Sequence, residues 1–161
     1  MYSANRTTRS SVCTCIEVSS KNPQIVGSDV GENKAFTFTN EIVDVDDTWL
    51  TNRFTTSVDA SYKMEINYTF EFVKNAPTDV FPVPPRLRYF PISGGFQYVE
   101  ANTIQGWPDT PQEGTTYTVT QVWNLDRSAG DFEFVYMVDQ PGGEADLHIE
   151  SDAYIKIYKL A

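Results

Sequence analysis

An all-β fold of antiparallel strands, closed as a sandwich or a barrel, is what the sequence predicts, and three observations lead there. In YKMEINYTFEF, Tyr62, Met64, Ile66, Tyr68, Phe70 and Phe72 alternate with Lys63, Glu65, Asn67, Thr69 and Glu71. A period of two places the apolar set on one face, which no helix reproduces. Aromatic residues make up 14% of the chain while Leu is scarce and long Ala/Leu/Glu/Lys stretches are absent, a balance that favours strands. Strand-like runs also recur about every ten residues between Gly, Pro and Asp turns, with no helical period anywhere. At 161 residues the chain is sized for one domain that buries roughly two-thirds of its unfolded surface. An immunoglobulin-like sandwich is the second architecture, but no Cys pair brackets a Trp as that fold would have it.

Taken in order, residues 1–34 read as an N-terminal arm, a candidate attachment segment. Its turn-rich pieces SSK, NP and VGSDVGEN are interrupted by one apolar patch from Val12 to Val18, enough for one short strand. The folded domain is predicted over 35–161. AFTFTN and EIVDV are β-rich, split by Asn40 and Glu41, and TWLTNRFTT follows as another extended run. The alternating stretch at 62–72 is a long strand with one wet side. Prolines rule out a central strand through most of NAPTDVFPVPPRLRYFPISGG, which is expected to run along an edge. GFQYVEANTI reads as a strand, QGWPDTPQEG as an exposed loop, TTYTVTQVWNL as a strand and DRSAGD as a turn. FEFVYMVD is apolar on both parities, as a strand covered on both sides would be. QPGGEAD turns again, and LHIE and AYIKIYKL are the last strands.

Twelve basic residues against twenty-two acidic give a formal charge of -10, so nucleic acid is not an expected partner. Up to Ile16 the charged side chains are Arg6 and Arg9, which sets +2 ahead of a remainder of -12. A short basic arm suits attachment to an acidic surface, and Arg6 and Arg9 are its candidate contacts. MYSANRTTRS lacks the apolar stretch of a secretory signal, and no segment nears the roughly 18 apolar residues of a membrane span, so neither is expected. Cys13 and Cys15 stand two apart, a spacing at which a mutual disulfide is strained. They are expected to be inert thiols, with bridging between chains of an oligomer as the other reading.

Catalysis finds little support. Nucleophilic hydrolysis needs Ser or Cys beside a base, yet His148 is the sole histidine and no G-x-S-x-G elbow occurs. Two cysteines and one histidine do not make a zinc site, and no glycine-rich phosphate loop with its lysine is present. Twenty-two acids do not single out a glycosidase pair. Asp44, Asp46 and Asp47, and again Asp139, Glu144 and Asp146, offer the oxygen donors that calcium takes, without EF-hand order. No catalytic residue, metal site or cofactor is assigned. NRT and NYT match the glycosylation sequon, which matters in a secreted eukaryotic protein. Trp107, among turn formers in QGWPDTP, and Trp49, beside Asp46 and Asp47, are candidate ligand-contact residues. Packing against the end of the barrel is the competing role for each ring.

The segment from Tyr117 to Leu160 supplies, in order, a strand ending near Leu125, a Gly130–Asp131 turn, an aromatic strand with Phe132 and Phe134, a variable loop, and the run Tyr154 to Leu160. This resembles the closing half of the jelly-roll heads of the tumour-necrosis-factor and complement C1q superfamily, over residues 35–161. YKMEINYTFEFV stands where such heads place their long strand. The resemblance implies an antiparallel jelly-roll β-sandwich whose terminal strand lies centrally in the inner sheet, close to a threefold axis. Ile155 and Ile157 would then face the core, and Tyr154, Tyr158 and Leu160 would form a homotrimer interface. The function expected is that of a non-enzymatic virion structural protein, a trimer that decorates or stabilises a bacteriophage capsid from its surface. Its partner would be the major capsid protein or another virion component. The alternative is a receptor- or glycan-binding trimeric head of a fibre or a C1q-type ligand. A cupin-like enzyme would need clustered histidines.

Overall fold

The computed structural model describes residues 13–27, 34–44, 49–50, 53–55, 60–74, 84–91, 95–127, 130–136 and 145–160, and all regular structure among them is β. The strands are β1 (Cys13–Ser19), β2 (Gln24–Gly27), β3 (Lys34–Ala35), β4 (Asn40–Asp44), β5 (Trp49–Leu50), β6 (Arg53–Thr55) and β7 (Ala60–Lys74). There follow β8 (Arg86–Pro91), β9 (Gln97–Val99), β10 (Thr103–Gln105), β11 (Thr116–Arg127), β12 (Gly130–Tyr136), β13 (Ala145–Ile149) and β14 (Tyr154–Leu160). Every pairing is antiparallel, and two sheets result. The larger has eight strands, ordered β10-β11-β7-β14-β1-β4, with β13 on β7 beyond β14 and β2 on β13. The smaller has six, ordered β5-β6-β12-β8-β9, with β3 also on β12. The fold is the all-β jelly-roll sandwich that the sequence predicts.

Strand β7 is the spine of the larger sheet. Tyr62, Met64, Ile66, Tyr68, Phe70 and Phe72 are all buried, while Lys63, Glu65, Asn67, Thr69 and Glu71 line the half-exposed outer face. Val119, Trp123 and Leu125 from β11, Ile155 and Ile157 from β14, and Ile16 and Val18 from β1 extend the same inner surface. Phe54, Leu87 and Tyr89 oppose them from the smaller sheet, with the Phe54 ring edge-on to Tyr62 at 5.2 Å. One polar chain crosses this core. Tyr68 donates its hydroxyl proton to Gln121 Oε1 at 2.6 Å, and Gln121 Nε2 donates to the Pro85 carbonyl at 2.9 Å. Gln121 is thereby satisfied although fully buried.

Three expectations need correction. The arm does not extend to residue 34, because β1 pairs with β14 and β4, and β2 pairs with β13, inside the larger sheet. Residues 1–12, with Arg6 and Arg9, lie outside the described residues. The Pro-rich segment contains an interior strand, since β8 is paired with β12 on one side and β9 on the other. Its prolines flank the run instead of interrupting it, with Pro84 and Pro85 before Arg86 and Pro91 as the last residue. GFQYVEANTI is two strands in different sheets, β9 on β8 and β10 on β11. The chain changes sheet at Asn102, whose N–H donates to the Val122 carbonyl at 2.8 Å and whose Oδ1 accepts from Asn124 N at 2.7 Å.

Beyond β3 the extended piece at Phe36–Phe38 keeps its alternation, both rings buried, without a backbone ladder on β2. The Gln24 side chain takes the ladder's place: its Nε2 donates to Thr37 O at 2.9 Å and its Oε1 accepts from Thr37 N at 2.8 Å. A side-chain amide presents the same donor and acceptor pair as a peptide group.

Candidate functional site

The outer face of the larger sheet, centred on β14, is the candidate site. Pairing to β7 on one side and β1 on the other puts β14 in the middle of that sheet. Ile155 and Ile157 point into the core and are completely buried. The alternate row, Tyr154, Lys156, Tyr158 and Leu160, faces outward and is half-buried. Register fixes the neighbours of each. Tyr154 stands between Asn67 and Ser19, Lys156 between Glu65 and Glu17, and Tyr158 between Lys63 and Thr14, while Leu160 is opposite Ser61.

Charge and aromatic surface interlock along this row. Lys156 Nζ lies 5.1 Å from the Tyr154 ring centroid, and Lys63 Nζ lies 5.7 Å from that of Tyr158. A cation over a ring is attracted by the ring quadrupole and holds the ring in place. Residues directly opposite on neighbouring strands share a face, and Lys156 is in register with a glutamate on each flank. Toward β11 the face becomes a hydrogen-bonded polar surface. Asn67 Nδ2 donates to Thr120 Oγ1 at 2.8 Å, and the Thr69 and Thr118 hydroxyls are 2.9 Å apart. Chemically this arrangement can associate with another surface.

The other candidates from sequence fall elsewhere. Trp107 is half-buried and stacks on Phe70 with centroids 4.9 Å apart and planes 24° from parallel, so its loop is anchored to the core and keeps only part of one ring in solvent. Trp49 is 3% exposed, and its indole N–H donates to the Phe38 carbonyl at 3.0 Å, which leaves its ring no free face. Asp44 Oδ2 accepts from Trp49 N at 2.8 Å and so ties the end of β4 to the start of β5. Asp46, Asp47, Asp139 and Glu144 lie outside the described residues, among which no group of three or more His, Cys, Asp or Glu is placed to hold a metal ion. Cys13 and Cys15 are both in β1, with the register shift falling between Thr14 and Ile16.

His148, on β13, is in register with Glu71 and Ile25 and lines a shallow cleft of about 480 Å³ together with Gln24, Glu150 and Ser151. The cleft arises because two adjacent strands break at the same level. Residues 20–23 separate β1 from β2 and residues 150–153 separate β13 from β14. Ser20 N donates to Ala153 O at 2.8 Å, and Asp152 N donates to Ser20 O at 2.7 Å, so the breaks are tied to each other. Sequence reasoning did not foresee this paired interruption or the flanking of Lys156 by two glutamates. Only the register of three strands far apart in the chain brings those residues together.

No helix among the described residues is long and apolar enough to cross a membrane. No protein-family model matches the chain, and no curated protein matches it by sequence. Among solved structures, the globular domain of zebrafish complement 1qA protein is similar with a TM-score of 0.53 at 15% sequence identity, over 86% of this chain and 96% of that one. At that identity the likeness establishes the fold, a C1q-like jelly roll.

Proposed function

We propose that the chain is a non-enzymatic head that works as a homotrimer, with the outer row of β14 turned toward the common axis. One observation carries this reading. The wet side of a strand inside an antiparallel sheet ordinarily shows a polar row, as β11 does with Thr116, Thr118 and Asn124, all exposed. On β14 the corresponding row has two tyrosines and a leucine, its lysine matched by a glutamate on either side. Burying the part of each such side chain that is still exposed contributes up to about 1 kcal/mol. Three of them from each of three copies reach the range of the association cost, roughly 4–15 kcal/mol. The similarity to a C1q-type head supports the same arrangement.

Light scattering tests it. The expected mass is three times 18.2 kDa. Tyr158→Glu, which adds a carboxylate to a face outside the core, is expected to give a monomer with unchanged far-UV circular dichroism. A wild-type monomer at micromolar concentration would end the proposal.

The finer reading is a virion component on the capsid surface, bound to the major capsid protein through residues that include Arg6 and Arg9. Its support is the charge asymmetry, +2 before Glu17 and an acidic remainder. Deleting residues 1–12 should abolish binding to purified shells. The deletion must stop there because Cys13–Ser19 is a strand of the sheet. The second reading, a receptor- or glycan-binding head with the free edge of Trp107 as a contact, is favoured by a cationic, aromatic surface on the opposite sheet.

A further inference from the structure

The outward face of the smaller sheet gathers three of the chain's six arginines among aromatic rings. Along β8, Leu87 and Tyr89 enter the core, which turns Arg86, Arg88 and Phe90 outward. Tyr98 is in register with Arg88, and Arg53 lies two strands away on β6. The guanidinium of Arg86 is 4.7 Å from the Tyr98 centroid, and that of Arg88 is 5.0 Å from Phe90 and 5.7 Å from Phe96. Arg53 reaches Phe90 at 5.5 Å. The rings are continuous, Phe96 being 5.8 Å from Phe90 and 5.4 Å from Tyr98, and Phe96 is 51% exposed. Strand β12 sets Glu133 in register with both Arg53 and Arg88, and Asp131 with Phe90. Three arginines therefore share this face, in a chain of formal charge -10.

The geometry points to a binding site for a carboxylate-bearing saccharide. A guanidinium resting on a ring is held in a fixed plane. It presents five N–H donors, and its fork takes a carboxylate in bidentate fashion. Arg86 and Arg88 would hold the carboxylate, and the exposed face of Phe96 would take the apolar side of the sugar ring. Two magnitudes select this occupant. A stable protein interface uses about 20–30 residues a side, and this patch is six side chains. A long polyanion needs a sustained cationic surface, which a chain this acidic lacks, whereas one carboxylate does not. The patch lies on the sheet opposite β14, so it does not depend on the trimer. If three copies do assemble, they display three such sites, and a multivalent glycan gains avidity.

Titration calorimetry on the full chain tests this, with 3′-sialyllactose and a glucuronate-terminated disaccharide compared with lactose. An acidic sugar is expected to bind about tenfold or more tighter than lactose. Arg88→Lys, which keeps the charge but loses the fork, and Phe96→Ala should each weaken binding by about tenfold, with circular dichroism unchanged. Equal or absent binding of acidic and neutral sugars would overturn the assignment, as would affinity untouched by both substitutions. Preference for a hexaglutamate peptide over either acidic sugar would overturn it in favour of a protein partner. Light scattering on the same samples reports assembly separately.

Discussion

Gly106 has φ +88°, and a Cβ there would sit 2.0 Å from the Thr118 carbonyl oxygen. The turn before Trp107 is thus pressed against β11, and Gly106→Ala is expected to cost about 2 kcal/mol or more, read from urea unfolding. Tyr68 gives a different kind of test. Burial pushes its phenol well above the ordinary value of 10.0. The unfolded chain then loses this proton at lower pH than the folded one. Stability is complete below pH 10 and falls as pH rises through the folded value. Tyr68→Phe should lower stability at neutral pH by about 1 kcal/mol, through the lost bond to Gln121, and flatten the alkaline limb of a stability profile. At this scale the sequence is legible where a pattern repeats and illegible where a single contact decides. Trp49 sits among acids and turn formers, yet one hydrogen bond to Phe38 makes its burial acceptable. Nothing in its local sequence distinguishes that from exposure.

Among the elements, β7 was readable residue by residue, because both of its faces have uniform surroundings along their length. β8 was not, since the prolines around it argue against a central strand through most of that segment, whereas Arg-Leu-Arg-Tyr-Phe alternates cleanly between Pro85 and Pro91. Recognising that strand would also have revealed Arg86 and Arg88 on one face. The crossing from β9 to β10 was hidden for another reason: a strand that changes sheets keeps its composition and changes only its partners. The paired breaks at residues 20–23 and 150–153 rest on Asp152, the one non-glycine residue with positive φ, at 70°, among the described residues. Aspartate tolerates this region and β-branched residues do not. Asp152→Gly should leave the thermal midpoint nearly unchanged, while Asp152→Val should lose about 1–2 kcal/mol.

For the molecule as a whole, charge and packing oppose each other. Each copy has a formal charge of -10, so copies gathered about an axis repel one another at long range, beyond the local Lys–Glu matching on β14. Salt should therefore strengthen assembly. Raising NaCl from about 20 to 300 mM is expected to lower the dissociation constant several-fold in sedimentation equilibrium. The acidity was plain in the sequence. The contrast between the two outer faces was not, since it depends on which strands lie back to back. The spine strand has a final consequence. Each partner of β7, namely β11, β13 and β14, is encoded after it. A nascent chain leaving the ribosome therefore carries β7 without any of its sheet neighbours until the strands that follow it have been made. Pairing of the larger sheet is slow in the way of non-local β topologies, and the partly made chain is the form most in need of a chaperone.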